Sequence, residues 1–547
     1  MSDPPRATSE DPWLRGWPWL HLALCAAVLL VLYHGALRAP FFSDDHDLIL
    51  ENPVIEGLSP AHLRAIFEPH GTQVVLTGTY APLHMLAMAL ERAAFGLEPL
   101  AWHVANVLLH ALATVLVASL LLASGLSSPA ALCGAALFGL HPALIEGVAW
   151  ISQSKTVLCA VFAFGALRAW RAGPALATAL FAAALLSKPH AVFVLPTAAA
   201  FAWVWRDRKH FGWLVAWCAL FALYALPELI AFRDYSGFQS QEAFDLGLRI
   251  RSVGAIAARY AWMAATSLNV AAFAQPDPPT SWLDPWWLAG AALLALLGLR
   301  TVQTLRARRE EGAYWIFAVT AFAPVSQLFP FLFPIADRYL YFALPGLIGA
   351  TLLGLRDLEP GRTARRAGAL AGIALALVFA VRSEARGRLW REPTLLFLDS
   401  ARHYPDGYPA QMMRARRAAQ QGDAAEAAAA LRAAHARGAS DFMAVADDPA
   451  LAPIAASPEF AAVLQEMATR FVETNPVGTD TDQATLHLLA HAELIRGNAR
   501  AATQALAAAI RAGGLQDAVL RQELAALVSA DPSLADLTEN APTSTAR

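Results

Sequence analysis

From residue 17 to residue 382 the chain is a succession of long apolar runs broken by short polar segments. Beyond 383 the runs shorten, and Ala-rich stretches alternate with charged positions. A membrane-spanning helix needs roughly 20 mostly apolar residues, and shorter ones serve where neighbouring helices replace lipid. Eleven stretches fit, near 17–37, 100–123, 128–146, 155–170, 174–187, 190–206, 211–232, 286–304, 313–333, 339–355 and 367–382. The first is too long for the core of a signal peptide and ends without a small-residue cleavage pattern, which predicts a spanning helix. The stretch 253–275 carries Arg259, Ser267 and Asn269, and is expected to be re-entrant or interfacial. The pattern predicts an all-α polytopic membrane protein with about eleven transmembrane helices and a helical C-terminal region.

With the N-terminus inside, the short inner loops hold Arg6, Arg15, Arg168, Arg171, Arg206, Arg208, Lys209, Arg300, Arg306, Arg308, Arg309, Arg356, Arg362, Arg365 and Arg366. The longer outer segments hold fewer basic residues, as the positive-inside bias requires. Arg382, Arg386, Arg388 and Arg391 run against it. The expected layout is a cytoplasmic N-terminus over 1–16 and a membrane domain over 17–382, with large external loops at 38–99 and 233–285. Within the first loop, "TYAPLHMLAMALERAAFGL" is amphipathic and suits a helix lying in the membrane interface.

In the C-terminal region, 404–437 and 482–513 each read as two Ala-rich helices around a "QGD" or "RGN" turn. Units near 34 residues resemble tetratricopeptide repeats. A helical domain of that type is expected over 400–534, with "DDPALAPIAASPEFAAVLQEM" as a degenerate unit, and a disordered tail over 535–547.

Composition supports this division. Of 547 residues, 57% are hydrophobic and 16% charged, against roughly a quarter charged in a soluble protein. The net charge of −3 gives nucleic acid no electrostatic foothold. Cys25, Cys133, Cys159 and Cys218 lie in apolar segments without metal-ligand spacing. No nucleophile elbow, phosphate-binding loop or zinc-protease motif is present, and His141 and His190 have no third ligand nearby in sequence. No metal or cofactor is expected.

The candidate chemistry lies on the expected outer face. "FFSDDHDLILENPVI", residues 41–55, sets adjacent Asp44 and Asp45 just after the first apolar run. Lys155, Lys188 and Arg338 fall at the outer ends of helices, where ionisable groups are costly and face a cavity or a partner. Snorkelling or pairing with Asp337 accounts for any one of them. Three together, opposite an acidic loop, suit a phosphate. "HPALIEGVAWIS" places His141, Glu146 and Trp150 beside them, and a buried Glu146 needs a partner.

Five segments occur in order: the acidic loop, "TYAPLHMLAMALERAAFGL" with "AWHVANVLLHAL", "HPALIEGVAWISQSKTVLC", "LLSKPHAVFVLP" and "ADRYLYFALPGL". Together they resemble the membrane O-mannosyltransferases that carry tetratricopeptide repeats, and their bacterial relatives, over about residues 20–350 and the helical tail. The resemblance implies a GT-C membrane glycosyltransferase that uses a polyprenyl-phosphate sugar as donor and acts on the periplasmic or lumenal side. It implies a base at Asp44, with Asp45 beside it, and a donor and acceptor site at His141, Glu146, Trp150, Asp337 and Tyr339. Lys155, Lys188 and Arg338 are the expected phosphate ligands. Where the family often reads "RKD", this chain has Ser154, Lys155 and Thr156.

A carboxylate base and a phosphate leaving group stabilised by cations make a self-sufficient transfer site. The expected partners are the lipid-linked donor, membrane lipid and a protein or peptide acceptor docked on the repeat domain. The Ala- and Arg-rich composition points to a high-GC bacterium, hence to an inner membrane with the site and C-terminal domain in the periplasm. The alternatives are a GT-C transferase acting on a glycan or lipid, and a non-catalytic scaffold or transporter. A transporter would show half-symmetry that this membrane region lacks.

Overall fold

The computed structural model describes residues 18–69, 74, 77–207, 209–234, 245–328, 334–477, 481, 483–513 and 517–537. The expected cytoplasmic segment 1–16, with Arg6 and Arg15, lies outside them, as do Arg208 and residues 538–547 of the expected disordered tail. The described residues up to His403 form one compact unit and those from Tyr404 a second.

The first unit is helical throughout. Its N-terminal part comprises α1 (Pro18–Leu32), α2 (Pro60–Phe67), α3 (Pro82–Phe95), α4 (Pro99–Ala123), α5 (Ser128–Gly139), α6 (Ile145–Ala149), α7 (Ser154–Ala169) and α8 (Pro174–Ser187). There follow α9 (Val194–Trp205), α10 (Lys209–Asp234), α11 (Leu246–Thr266), α12 (Pro285–Arg306), α13 (Glu310–Phe322), α14 (Leu340–Asp357), α15 (Arg362–Leu389) and α16 (Pro393–His403). Proline opens many of these helices, where its missing N–H costs nothing and its fixed φ suits the first turn.

All eleven apolar stretches contain helix, but they are not equally long. Among the described residues, α4, α10, α14, α15 and α12 are long and apolar enough to cross a membrane alone, α14 together with the turn before it. A sixth span results if α5 and the helix after it, bent by 50° at the His141 break, are counted as one. The protein is therefore an integral membrane protein with five or six full-length spans among these residues and shorter apolar helices packed between them. The run 313–333 is helical only through α13 and a following turn, and 329–333 lie outside the described residues.

Close approach depends on small residues. A Cβ at Gly290 of α12 would collide with the Gly254 carbonyl of α11, and one at Gly346 of α14 would strike the backbone of Ala318 in α13. The stretch 253–275 divides in two. Left-handed Ser267 (φ 55°) ends α11, and residues 270–275 run buried past Ile335, which bridges Ala274.

Helix α3 is amphipathic, yet its apolar face does not await lipid. Met85, Met88 and Ala89 pack into a core with Leu48, Ile49, Val54, Ile55, Ile66, Trp102 and Ile151. The helix is a buttress for the loop that carries the acidic pair, and Arg92 at its end hydrogen-bonds the Ile49 carbonyl and Glu56.

The second unit comprises α17 (Tyr408–Gln420), α18 (Ala424–Ala436), α19 (Phe442–Ala446), α20 (Pro458–Thr474), α21 (Gln483–Ile495), α22 (Ala499–Ala512) and α23 (Asp517–Ala530). Helices α17 and α18 pair around Gly422 (φ 75°), and Asp423 caps α18 by accepting from Glu426 N at 3.0 Å. Helices α21 and α22 pair around Gly497 (φ 79°), with Asn498 as the cap. The intervening sequence builds the short α19 and then α20, 17 residues long. The order also runs past 534, because Pro532–Leu537 is a 3-10 turn.

Candidate active site

The acidic loop is fastened by its second aspartate. Asp45 is buried, and its carboxylate accepts from Phe42 N at 3.0 Å and from Ser152 N at 2.7 Å. Trp150 Nε1 donates to the Phe42 carbonyl at 3.2 Å, and the Phe42 ring lies among Trp150, Phe273, Trp390 and Phe397. Burial pushes the Asp45 carboxyl up to about 6, against the pull of the two backbone donors. Asp44 points the other way and is exposed. Ser43, whose hydroxyl donates to Asp44 Oδ1 at 3.2 Å, holds the left-handed region (φ 52°), a strained setting for a residue with a Cβ.

Lys155, Lys188 and Arg338 do converge. They lie within electrostatic range of one another, and Asp44 acts on both Lys155 and Arg338. Lys155 stands in the first turn of α7, Lys188 ends α8, and Arg338 sits in the turn leading to α14. Neither lysine has a carboxylate within ion-pair distance among the described residues. Lys188 Nζ donates to Thr156 Oγ1 at 2.8 Å and lies 5.7 Å over the Phe342 ring. Thr156 thus offers Lys188 a hydroxyl and not a carboxylate.

Arg338 is held differently. Its guanidinium is ion-paired to buried Glu146, which also accepts from Arg338 N at 2.9 Å. Its face packs near the rings of Trp150 and Tyr339, at 5.4 and 5.1 Å. Glu146 thus finds the partner its burial requires, and Arg338 pairs with it and not with the neighbouring Asp337. Asp337 is buried and accepts from Ala271 N at 3.1 Å, tying the Arg338 turn to the 270–275 segment. His141 is buried too. Its Nδ1 accepts from Ala143 N at 3.1 Å, its Nε2 meets the Ala264 carbonyl at 3.3 Å, and its ring stands edge-on to Phe379. His141 therefore braces the α5–α6 break from behind and does not face the cations.

The cluster also includes residues that sequence reasoning passed over. His84 of α3 meets Ser154 Oγ at 2.9 Å, next to Lys155 and Lys188. Asn106 of α4 donates to the carbonyls of Val148 and Ile151 at 3.2 and 3.3 Å, clasping the turn that offers Ser152 N to Asp45. His110 meets Tyr341 Oη at 2.7 Å. The signal for them was present as His or Asn inside apolar helices, where a polar group needs a named partner.

An exposed carboxylate within electrostatic range of Lys155 and Arg338, with Lys188 beside those two cations, can deprotonate a hydroxyl and receive an anion. The comparisons agree with such chemistry. The chain is 35% identical to the protein O-mannosyl-transferase Tmtc1 of Drosophila melanogaster over 190 residues, 32% of this chain and 22% of that protein. It is 33% identical to the protein O-mannosyl-transferase Tmtc2 of the same organism over 131 residues, 23% of this chain and 14% of that protein. The chain thus matches less than a quarter of either relative's length. No protein-family model and no solved structure matches it.

Proposed function

We propose that the chain is a membrane glycosyltransferase that moves a sugar, mannose by its likeness to the two fly proteins, from a polyprenyl-phosphate donor to a Ser or Thr hydroxyl of a protein. The observation that carries this reading is the exposed Asp44 carboxylate set against Lys155, Lys188 and Arg338. Asp44 takes the acceptor's proton as the hydroxyl oxygen forms a bond to the anomeric carbon. The bond from that carbon to the phosphate oxygen breaks, and its electron pair leaves on the lipid phosphate. Lys155 and Lys188 stabilise the growing negative charge, with Arg338 aligned by Glu146. A phosphate leaves without being protonated, so the transfer asks no acid, metal or cofactor of the protein.

In this reading the site opens on the periplasmic or lumenal side, and the C-terminal helical unit receives the acceptor peptide. The test is transfer of labelled mannose from polyprenyl-phosphate-mannose into protein, in membranes carrying wild type or Asp44→Asn. Label in protein with wild type alone supports both class and base. Asp44→Asn activity near wild type removes Asp44 from the mechanism.

A further inference from the structure

Far along the sequence from these residues, His487 and His491 stand four residues apart on one face of α21. Glu523 of α23 reaches both. Its Oε2 lies 2.8 Å from His487 Nε2 and 3.6 Å from His491 Nε2, and the two Nε2 atoms are 3.0 Å apart. His487 Nε2 therefore lies within hydrogen-bond distance of a carboxylate oxygen and of another ring nitrogen at once. A ring nitrogen offers one proton or one lone pair, and so serves one such neighbour properly. A cation at the centre serves all three.

The distances fit that answer. With ligand bonds of about 2.0–2.1 Å, the ligand atoms of a tetrahedral zinc site stand about 3.3 Å apart. The three measured separations bracket this value. Asp447 lies within electrostatic range of His491. The helices are fixed independently of any ion, because Leu486, Leu489 and Ala490 of α21 share a core with Leu506 and Ile510 of α22 and Leu520 and Leu524 of α23.

We infer that His487 Nε2, His491 Nε2 and a Glu523 carboxylate oxygen bind one divalent transition-metal ion of the zinc class, with water as the fourth ligand, and that the ion staples α23 to α21. A helical array needs its terminal element held and its outer face capped. This staple is separate from the proposed transfer chemistry and stands or falls without it.

The test uses the full chain in detergent, purified without a histidine tag, stripped with a chelator and titrated with zinc alone. The expected result is one equivalent bound per chain, a raised melting temperature and, with cobalt(II), the visible absorption of a tetrahedral site. His491→Ala and Glu523→Gln are each expected to weaken zinc binding by more than about tenfold and to lose the melting shift. Glu523→Gln keeps the side chain's size and one acceptor oxygen while removing the charge, so it reads out binding even where His491→Ala fails to fold. Absence of a zinc equivalent in wild type, or binding unchanged in Glu523→Gln, overturns the proposal.

Discussion

Two neighbouring aspartates meet opposite environments because the partners that decide between them are remote in sequence. Asp45 turns inward to Ser152 N, 107 residues away, while Asp44 is left to the open side. The sequence shows the acidic pair and the loop; it does not show which carboxylate the fold consumes, since backbone donors carry no side-chain signature. Asp45 has a consequence in pH. Its folded pKa of about 6 lies above the ordinary aspartate value, so the folded state holds this proton more tightly than the unfolded chain. Its contribution to stability is complete below about pH 4 and is lost as pH rises through about 6, with an upper bound of about 3 kcal/mol. Asp45→Asn removes that titration. Melting temperatures of both proteins at about pH 5 and about pH 7.5 should show wild type losing ground to the variant at the higher value. A difference that stays constant between the two would show that Asp45 does not titrate in the fold.

At the scale of elements, the Glu146–Arg338 pair joins α6 to the turn before α14 across 192 residues, and it gathers the cations. Removing one member of a buried pair strands the other's charge, at a cost of about 3–5 kcal/mol. Glu146→Gln is therefore expected to lower the melting temperature sharply. Glu146→Gln combined with Arg338→Met should recover most of that loss yet leave sugar transfer depressed, because the guanidinium is gone. Transfer at the wild-type rate in the double variant would make Arg338 a structural residue only. The apolar runs made the eleven long stretches legible as helix, but not the short α2 and α16, nor the length or neighbour of each. Periodicity marks α3 as amphipathic without saying that its apolar face meets Ile49 and Trp102 in place of lipid. Likewise His141 in "HP" reads equally as brace or ligand until Phe379, on α15, closes over it.

The first unit has a basic end and a site end. Arg356 donates to the Ser124 carbonyl and Arg309 pairs with Asp357, while Arg308 and Arg171 stack on Trp203 and Trp205. These contacts gather at one end most of the loops whose arginines the positive-inside bias assigns to the cytoplasm. Arg382, Arg386, Arg388 and Arg391 run against that bias, and two of them are paired where they stand. Arg386 pairs with Asp399 at 2.5 Å, and Arg388 with Glu384 at 2.5 Å. The proposed orientation rests on the other basic loops. This orientation is directly measurable with single cysteines, after the four native cysteines are replaced by alanine. Glu51 lies in the acidic loop at the site end and Ala307 at the basic end, and both are exposed. Glu51→Cys should react with a membrane-impermeant maleimide in intact cells. Ala307→Cys should react only after the membrane is permeabilised. The reverse pattern would put the site on the cytoplasmic side, where a donor flipped to the outer leaflet could not reach Asp44, and the proposed transfer would need a donor presented from within.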